Sequence, residues 1–367
     1  MSRPRLTAIA ASLPSTVPFV GPEAIERQLG QKFRARLGAN ESAFGPSPKA
    51  LAAMAAAGPE SWHYGDPENN DLLAAIARHH GCTQGQVVAG PGVDALLGLT
   101  VRLYAEPGQV VVNSLGGYPT FNYHVTGYGA QLVTVPYAGY RSDPMALAQA
   151  AREHGAAIVY LANPDNPMGS WHDAAVVRDF IAAVPETTLI ILDEAYGEFA
   201  PEDARPALDF SQANLLRMRT FSKAYGMAGL RCGYILGPEH LIEPFNRIRD
   251  HFGISNVAQA AAIAALADQP FLQSVIERTN AAKARIGAIV RANGMEPLPS
   301  ATNFVAVDTG RDAAFAQAVL QELASQGVFI RKPGAPGLDH CIRISVGTDE
   351  ALDALEEALP VVMAKLA

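Results

Sequence analysis

The chain predicts an α/β protein, with a large layer domain built on a mostly parallel sheet and a smaller α+β domain appended. Two patterns carry that expectation. Between about residues 70 and 235, short apolar runs without polar alternation are separated by helical stretches, as in strands buried on both faces of a parallel sheet. In the last third, a helical stripe is followed by strands that alternate, as expected where one face alone is apolar. The length of 367 residues and a 49% hydrophobic content allow cores for both.

In chain order, the buried strands are expected at Val87–Ala89, Gln109–Val112, Leu132–Val135, Ala157–Leu161, Thr188–Leu192 and Leu215–Thr220. Helices are expected at Asp71–His80, Met145–His154 and Ala174–Val184, between most of these runs. Phe315, Val319, Leu320 and Leu323 then mark one helical face, before the run Gly327–Arg331. In Cys341–Val346, Ile342, Ile344 and Val346 fall on one face, and Arg343 and Ser345 on the other. Thr348 is placed to cap a last helix with Asp349 and Glu350 in its first turn, and Pro360 to kink or end it.

The net charge, 28 − 36 = −8, argues against a nucleic-acid partner. Three distant cysteines, Cys82, Cys232 and Cys341, argue against a disulfide framework and for a reducing cytoplasm. No apolar run approaches the roughly 20 residues of a membrane helix. Arg3 and Arg5 precede the apolar Leu6–Leu13, but Pro14 and Pro18 interrupt it and no processing site follows, so a signal peptide is not expected. The histidines show no metal spacing, and His79, His80 and Cys82 read as a helix end; no metal is expected.

The chemistry concentrates around Lys223, in Thr220-Phe221-Ser222-Lys223-Ala224-Tyr225-Gly226-Met227-Ala228-Gly229-Leu230-Arg231. A lysine behind a hydroxyl residue, with an arginine eight positions on, suits an enzyme that binds an aldehyde cofactor covalently and grips its phosphate. Upstream stand Asp193 in Leu192-Asp193-Glu194-Ala195-Tyr196 and Asn166 in Asn163-Pro164-Asp165-Asn166-Pro167-Met168-Gly169. All three motifs follow expected strands, at the end of the sheet where ligands collect in open α/β folds. Together they resemble the fold-type I pyridoxal-phosphate-dependent aminotransferases, and within that group the histidinol-phosphate aminotransferase family.

That resemblance, from about Leu37 to Leu359, implies the rest. It implies a large cofactor-binding domain over residues 46–245 and a small domain from 1–45 and 246–367. Lys223 would form the Schiff base and carry the α-proton, Asp193 would pair with the ring nitrogen, and Asn166 and Tyr196 would meet the ring hydroxyl. The phosphate would lie on Gly92, Val93 and Asp94 at a helix start, with Ser222 and Arg231. Phe121 would stack on the ring, and Tyr64 would reach the cofactor of a second subunit in a homodimer. Arg343 and Arg331 would bind the substrate's acidic group, and Asn40 would line the entrance. Val93, Ala95, Met168, Ser42, Ala43 and Phe44 depart from the family's usual residues.

The expected reaction is ping-pong transfer of an amino group from a donor (histidinol phosphate, an aromatic or another amino acid) to a 2-oxo acid, in amino-acid biosynthesis. A lyase similar to threonine-phosphate decarboxylase would use the same cofactor residues, and transfer without release of carbon dioxide excludes it. A cofactor-binding sensor would need a DNA-binding domain, for which the chain has no room before residue 37.

Overall fold

The computed structural model describes residues 4–15 and 20–367. Arg3 and Pro18, which entered the reading of the N-terminus, lie outside them. Among the described residues no helix is long and apolar enough to cross a membrane.

The strands are β1 (Ala35–Arg36), β2 (Val87–Gly90), β3 (Val110–Ser114), β4 (Gln131–Val135), β5 (Ile158–Ala162) and β6 (Leu189–Asp193). They continue with β7 (Leu215–Thr220), β8 (Gly233–Leu236), β9 (Glu296–Pro297), β10 (Phe304–Asp308), β11 (Val328–Phe329) and β12 (Cys341–Ser345). β2 to β8 form a seven-stranded sheet in the order β2-β8-β7-β6-β5-β3-β4. β8 runs antiparallel to both its neighbours, and the other pairings are parallel. Every residue of β6 is buried, which explains why its run shows no alternation. Helices Val93–Tyr104 and Pro119–Gly127 cover one face through Leu96, Leu97, Phe121 and Val125. Helices Pro144–Glu153 and Ala174–Ala183 cover the other through Leu147, Ala151, Val177 and Phe180.

One expectation is corrected, one strand is added and one of two alternatives is ruled out. The Leu132–Val135 run is not buried on both faces: β4 is the sheet's edge, with Thr134 exposed and Leu132 and Val133 half-buried. β8 was not anticipated; four residues directly behind the lysine motif carry too little pattern to mark a strand. Pro360 does not end its helix, which runs Asp349–Leu366. Pro360 is solvent-exposed there, while Leu355, Leu359 and Val362 on either side of it are buried. That tertiary packing outweighs the lost backbone bond. Thr348 caps this helix as expected, its hydroxyl accepting from Ala351 N–H at 3.4 Å.

A second core surrounds β10 and β12, with Ile342, Ile344 and Val346 packed against Phe315, Val319 and Leu323. β1 pairs in parallel with β11, so the N-terminal segment is tied to this part of the chain. Helix Asn256–Leu266 joins the core shared with Ala50, Leu72 and Ile76, beside the large sheet. Helix Gln269–Ala292 spans both cores: Leu272 and Val275 belong to the first, Ala282 and Ile286 to the second.

Candidate active site

The carboxyl ends of β2, β3, β5, β6 and β7 open onto one cavity of about 690 Å³. Val93, Tyr118, Asn166, Asp193 and Lys223 line it, each from the last residue of a different strand or the segment behind it. Residues 38–41 line it together with Arg331 and Arg343, which lie against Gly38. The parallel sheet thus gathers at its C-terminal edge motifs far apart in sequence.

Lys223 follows β7 in a tight turn. Gly226 N–H returns to the Lys223 carbonyl at 3.0 Å, and Gly226 has φ +70°. A side chain at Gly226 would run into the backbone of Gly45, so glycine is needed there for both conformation and space. The Lys223 ammonium donates to the Asn40 carbonyl at 3.0 Å and lies 5.5 Å from the centre of the Tyr196 ring. Burial, aided by the Arg343 charge, lowers its pKa to about 8. A lysine so placed is partly a neutral nucleophile near neutral pH.

Asp193, the last residue of β6, is buried. Tyr160 donates its hydroxyl to Asp193 Oδ2 at 2.6 Å, and Ala195 N–H donates to Oδ1 at 2.9 Å. Burial pushes the Asp193 carboxyl up, and these two donors oppose the shift. Glu194 is bound by Arg217 at 2.6 Å and Arg219 at 3.1 Å, both from β7. These buried charges lie inside a run read from sequence as an ordinary strand, and they tie β7 to the end of β6, where Asp193 sits.

Asn40 is a hub. Its φ is +55°, and it is buried. Its amide donates to the Tyr196 hydroxyl at 3.1 Å, its side-chain oxygen accepts from Ser345 Oγ at 2.8 Å, and its carbonyl accepts from Asn303 at 3.1 Å as well as from Lys223. Burial raises the Tyr196 pKa to about 12, opposed chiefly by Arg343. Arg343 donates to Asn166 Oδ1 at 2.6 Å. Arg331 and Arg343 oppose each other across an antiparallel bridge, with backbone bonds of 3.1 and 2.7 Å in the two directions. Directly opposed residues project to the same side, so both guanidinium groups face the cavity. Arg331 also donates to the carbonyl of Val20. Burial lowers the Arg343 pKa to about 10, and the Arg331 charge adds to this.

At the other end of the cavity, helix Val93–Tyr104 begins with Gly92 as its N-cap. Gly92 has φ +87°, and any side chain there would collide with the Arg231 guanidinium. The close approach brings Arg231 to the helix start, where the N–H groups of Val93 and Asp94 have no acceptor within the helix, with Ser222 Oγ 3.5 Å from Arg231 Nη1. Amide donors at a helix start, a hydroxyl and an arginine form a phosphate cradle. The cradle, a lysine of lowered pKa and a buried aspartate, all on one cavity, fit a phosphorylated aldehyde cofactor.

Two expected site residues lie elsewhere. Phe121 does not line the cavity: it is 0% exposed and stacks on Tyr160 with ring centres 4.5 Å apart. The helix starting at Pro119 turns Phe121 toward the core beneath the sheet, and Tyr118, just before it, lines the cavity instead. Tyr64 is 79% exposed and packs on Phe252, outside the cavity of its own chain. Tyr118 and Tyr160 were missed because a tyrosine next to a proline, or inside an apolar run, carries no sequence signal of its own. At the helix end Asn70–His80, Gly81 is the C-cap, and His80 Nε2 is 2.9 Å from the Tyr234 hydroxyl. Among the described residues one group offers metal-type donors, Asp308, His340 and Cys341, and the Tyr140 hydroxyl already bonds to the first two.

Residues 35–359 match the family of class I and II aminotransferases. The chain belongs to that family. It is a pyridoxal-phosphate-dependent aminotransferase of the fold-type I architecture, and its substrates are small molecules. It is 34% identical to histidinol-phosphate aminotransferase 2 of Carboxydothermus hydrogenoformans, over 90% of this chain and 92% of that one. It is 37% identical to the histidinol-phosphate aminotransferase of Erythrobacter litoralis, over 88% and 89%. The crystal structure of histidinol-phosphate aminotransferase from Sinorhizobium meliloti in complex with pyridoxal-5'-phosphate is similar at 52% identity and a TM-score of 0.97, covering 100% of this chain and 99% of that one. The L-threonine-O-3-phosphate decarboxylase of Porphyromonas gingivalis, at 19% identity and a TM-score of 0.77, shares the fold.

Proposed function

We propose that this aminotransferase takes a phosphorylated amino donor of the histidinol phosphate kind and passes its amino group to a 2-oxo acid. The observation that carries this is the pair Arg331 and Arg343, opposed across one bridge with both side chains on the cavity that holds Lys223. Two guanidinium groups on one side of a pocket suit a dianionic phosphate, whereas a carboxylate needs one. The curated relatives at 34% and 37% identity bear that activity in their names.

When bound, pyridoxal phosphate supplies an aldehyde for the amino group and a ring that accepts electrons from the donor's α-carbon. Lys223 Nζ holds the cofactor at rest and, once released, takes the proton from that carbon; the Asn40 carbonyl is the place where its free ammonium rests. Asp193 would meet the ring nitrogen as an anion, and Asn166 and Tyr196 would meet the ring hydroxyl. Val93, Asp94, Gly92, Ser222 and Arg231 receive the cofactor phosphate. Tyr118, which lines the cavity where Phe121 does not, would take the stacking role, and Asn40 would border the substrate.

A panel of donors in single half-reactions, followed by cofactor absorbance, tests the substrate. Histidinol phosphate should react well ahead of histidinol and of aromatic amino acids, and equal rates with histidinol would overturn the phosphate reading. Arg343→Lys keeps the charge and loses the two-pronged contact. The Michaelis constant for the phosphorylated donor should rise by about ten- to a hundredfold. An unchanged value for every anionic donor would remove Arg343 from substrate binding.

The exposed Tyr64, with Phe252 against it and Trp62 nearby, supports a homodimer in which Tyr64 reaches a second subunit's cofactor phosphate. Tyr64→Phe should then weaken cofactor retention several-fold by about one hydrogen bond and leave proton transfer intact. A fully active monomer in sedimentation would end that idea. The two cores support a division into a large and a small domain, with the boundary inside helix Gln269–Ala292 rather than at 245, because helix Asn256–Leu266 packs with the large sheet's core. The odd, unpaired cysteines support a cytoplasmic location.

A further inference from the structure

We propose that Tyr160 is a positioning residue: its hydroxyl holds Asp193 as an oriented anion toward the cofactor ring, and Phe121 holds Tyr160 in turn. This rests on the reading that Asp193 faces the ring nitrogen.

The sheet register brings the pair together. Tyr160 on β5 lies opposite Ile191 on β6, and Asp193 is two residues further along β6. Residues two apart point to the same face, so Tyr160 and Asp193 are diagonal neighbours within reach of a long side chain. The residue directly opposite Asp193 is Ala162, whose small side chain leaves the carboxylate open to the cavity. Tyr160 reaches across to Oδ2 at 2.6 Å, a short bond of the kind made to an anion.

The two carboxylate oxygens have different fixed donors, Tyr160 on Oδ2 and Ala195 N–H on Oδ1. Two donors fix the carboxylate plane, and each oxygen keeps a further lone pair to offer. The Tyr160 phenol stays a donor because burial, then the Asp193 charge, puts its ionisation far above neutral pH. Other charged groups act on this carboxyl, Glu194 raising its pKa and Lys223 lowering it, and its own charge in turn helps raise the Tyr118 and Tyr196 phenols. The short bond from Tyr160 therefore favours the anion at the carboxyl that would meet the ring. Phe121 supplies the third layer. It is fully buried, its ring lies 20° from parallel with that of Tyr160, and it blocks rotation of the phenol away from Asp193. An aromatic one layer behind the cavity thus acts on the site without touching it.

The test uses the holoenzyme reconstituted with cofactor carrying ¹⁵N at the ring nitrogen, whose resonance reports protonation there. In Tyr160→Phe the resonance should move toward the unprotonated position, kcat should fall about tenfold, and the donor KM should stay within about twofold. Phe121→Leu keeps the hydroxyl but frees the ring, and should shift the resonance the same way by less. Asp193→Asn, measured in parallel, separates the two levels. If Asp193→Asn shifts the resonance and both other variants leave it and kcat unchanged, the proposal is overturned and Tyr160 only fills the core. If Asp193→Asn leaves the resonance in place, Asp193 does not face the ring nitrogen and the proposal falls with that reading. Should Tyr160→Phe fail to fold, Phe121→Leu carries the test, and an unshifted resonance in it overturns the proposal.

Discussion

Lys223→Ala should lose turnover by about ten-thousandfold or more, because one side chain supplies both the covalent attachment and the proton carrier. The fold should survive. The lysine sits at the cavity wall rather than in a core cluster, and the turn after it depends on Gly226 and not on the lysine side chain. Borohydride reduction of the wild type should fix the cofactor on the peptide that contains Lys223. Labelling of a different lysine would sink the assignment. A pH effect follows from the lowered pKa. Attachment needs the neutral amine, and the group's pKa is lowered to about 8 from the ordinary value. The neutral form is scarce below that pH and dominant above it, so the rate at which cofactor-free protein takes up cofactor should rise through about pH 8 and level off. A rate that rises only near the pKa of an exposed lysine would show that the site does not depress Lys223.

Asp193→Asn should cost about a hundredfold or more in kcat, or about 3 kcal/mol of transition-state stabilisation. The amide is nearly isosteric; its one oxygen can still accept from Ala195 N–H while its NH2 donates to the Tyr160 hydroxyl, so cofactor should be retained in part. It carries no charge, however, and cannot hold a proton on the ring nitrogen against a site that already disfavours ions. The sign of the Asp193 shift makes the point: burial alone drives this carboxyl toward neutrality, and the two donors oppose it. Near-normal turnover in the variant would mean that the ring nitrogen has another partner.

These two residues were legible in the sequence because each stands in a motif at the end of an expected strand, and the motifs together resemble one family. Asp193 is the first charge in the otherwise apolar run of β6, and Lys223 stands three residues behind β7, next to Ser222 and ahead of Arg231. The helix start at Gly92 was legible too, since glycine before a helix-forming run marks a turn that other residues strain to make. The buried face of the small domain followed from alternation in Ile342, Ile344 and Val346. These features share one property: their physical cause lies within a few residues along the chain.

Contacts between distant segments were decided only by the tertiary structure. The β4 run resembles an interior strand in composition, and only the strand order makes it an edge. Pro360 would stop an isolated helix, and burial of Leu359 and Val362 against the small core carries the helix past it. Phe121 and Tyr118 are three residues apart, and the start of the helix at Pro119 decides which one meets the cavity. Arg331 and Arg343 became a pair only when an antiparallel bridge set them opposite each other. Asn40 joins Lys223, Tyr196, Ser345 and Asn303 across as many as 305 residues of chain. The sequence by itself therefore determined the fold class through local periodicity, and it marked Lys223, Asp193 and the glycine turn at Gly92 through short motifs that resemble one family. The tertiary structure decided which aromatic faces the cavity, how the arginines converge and what holds the aspartate, because each depends on the register between strands that no local pattern records.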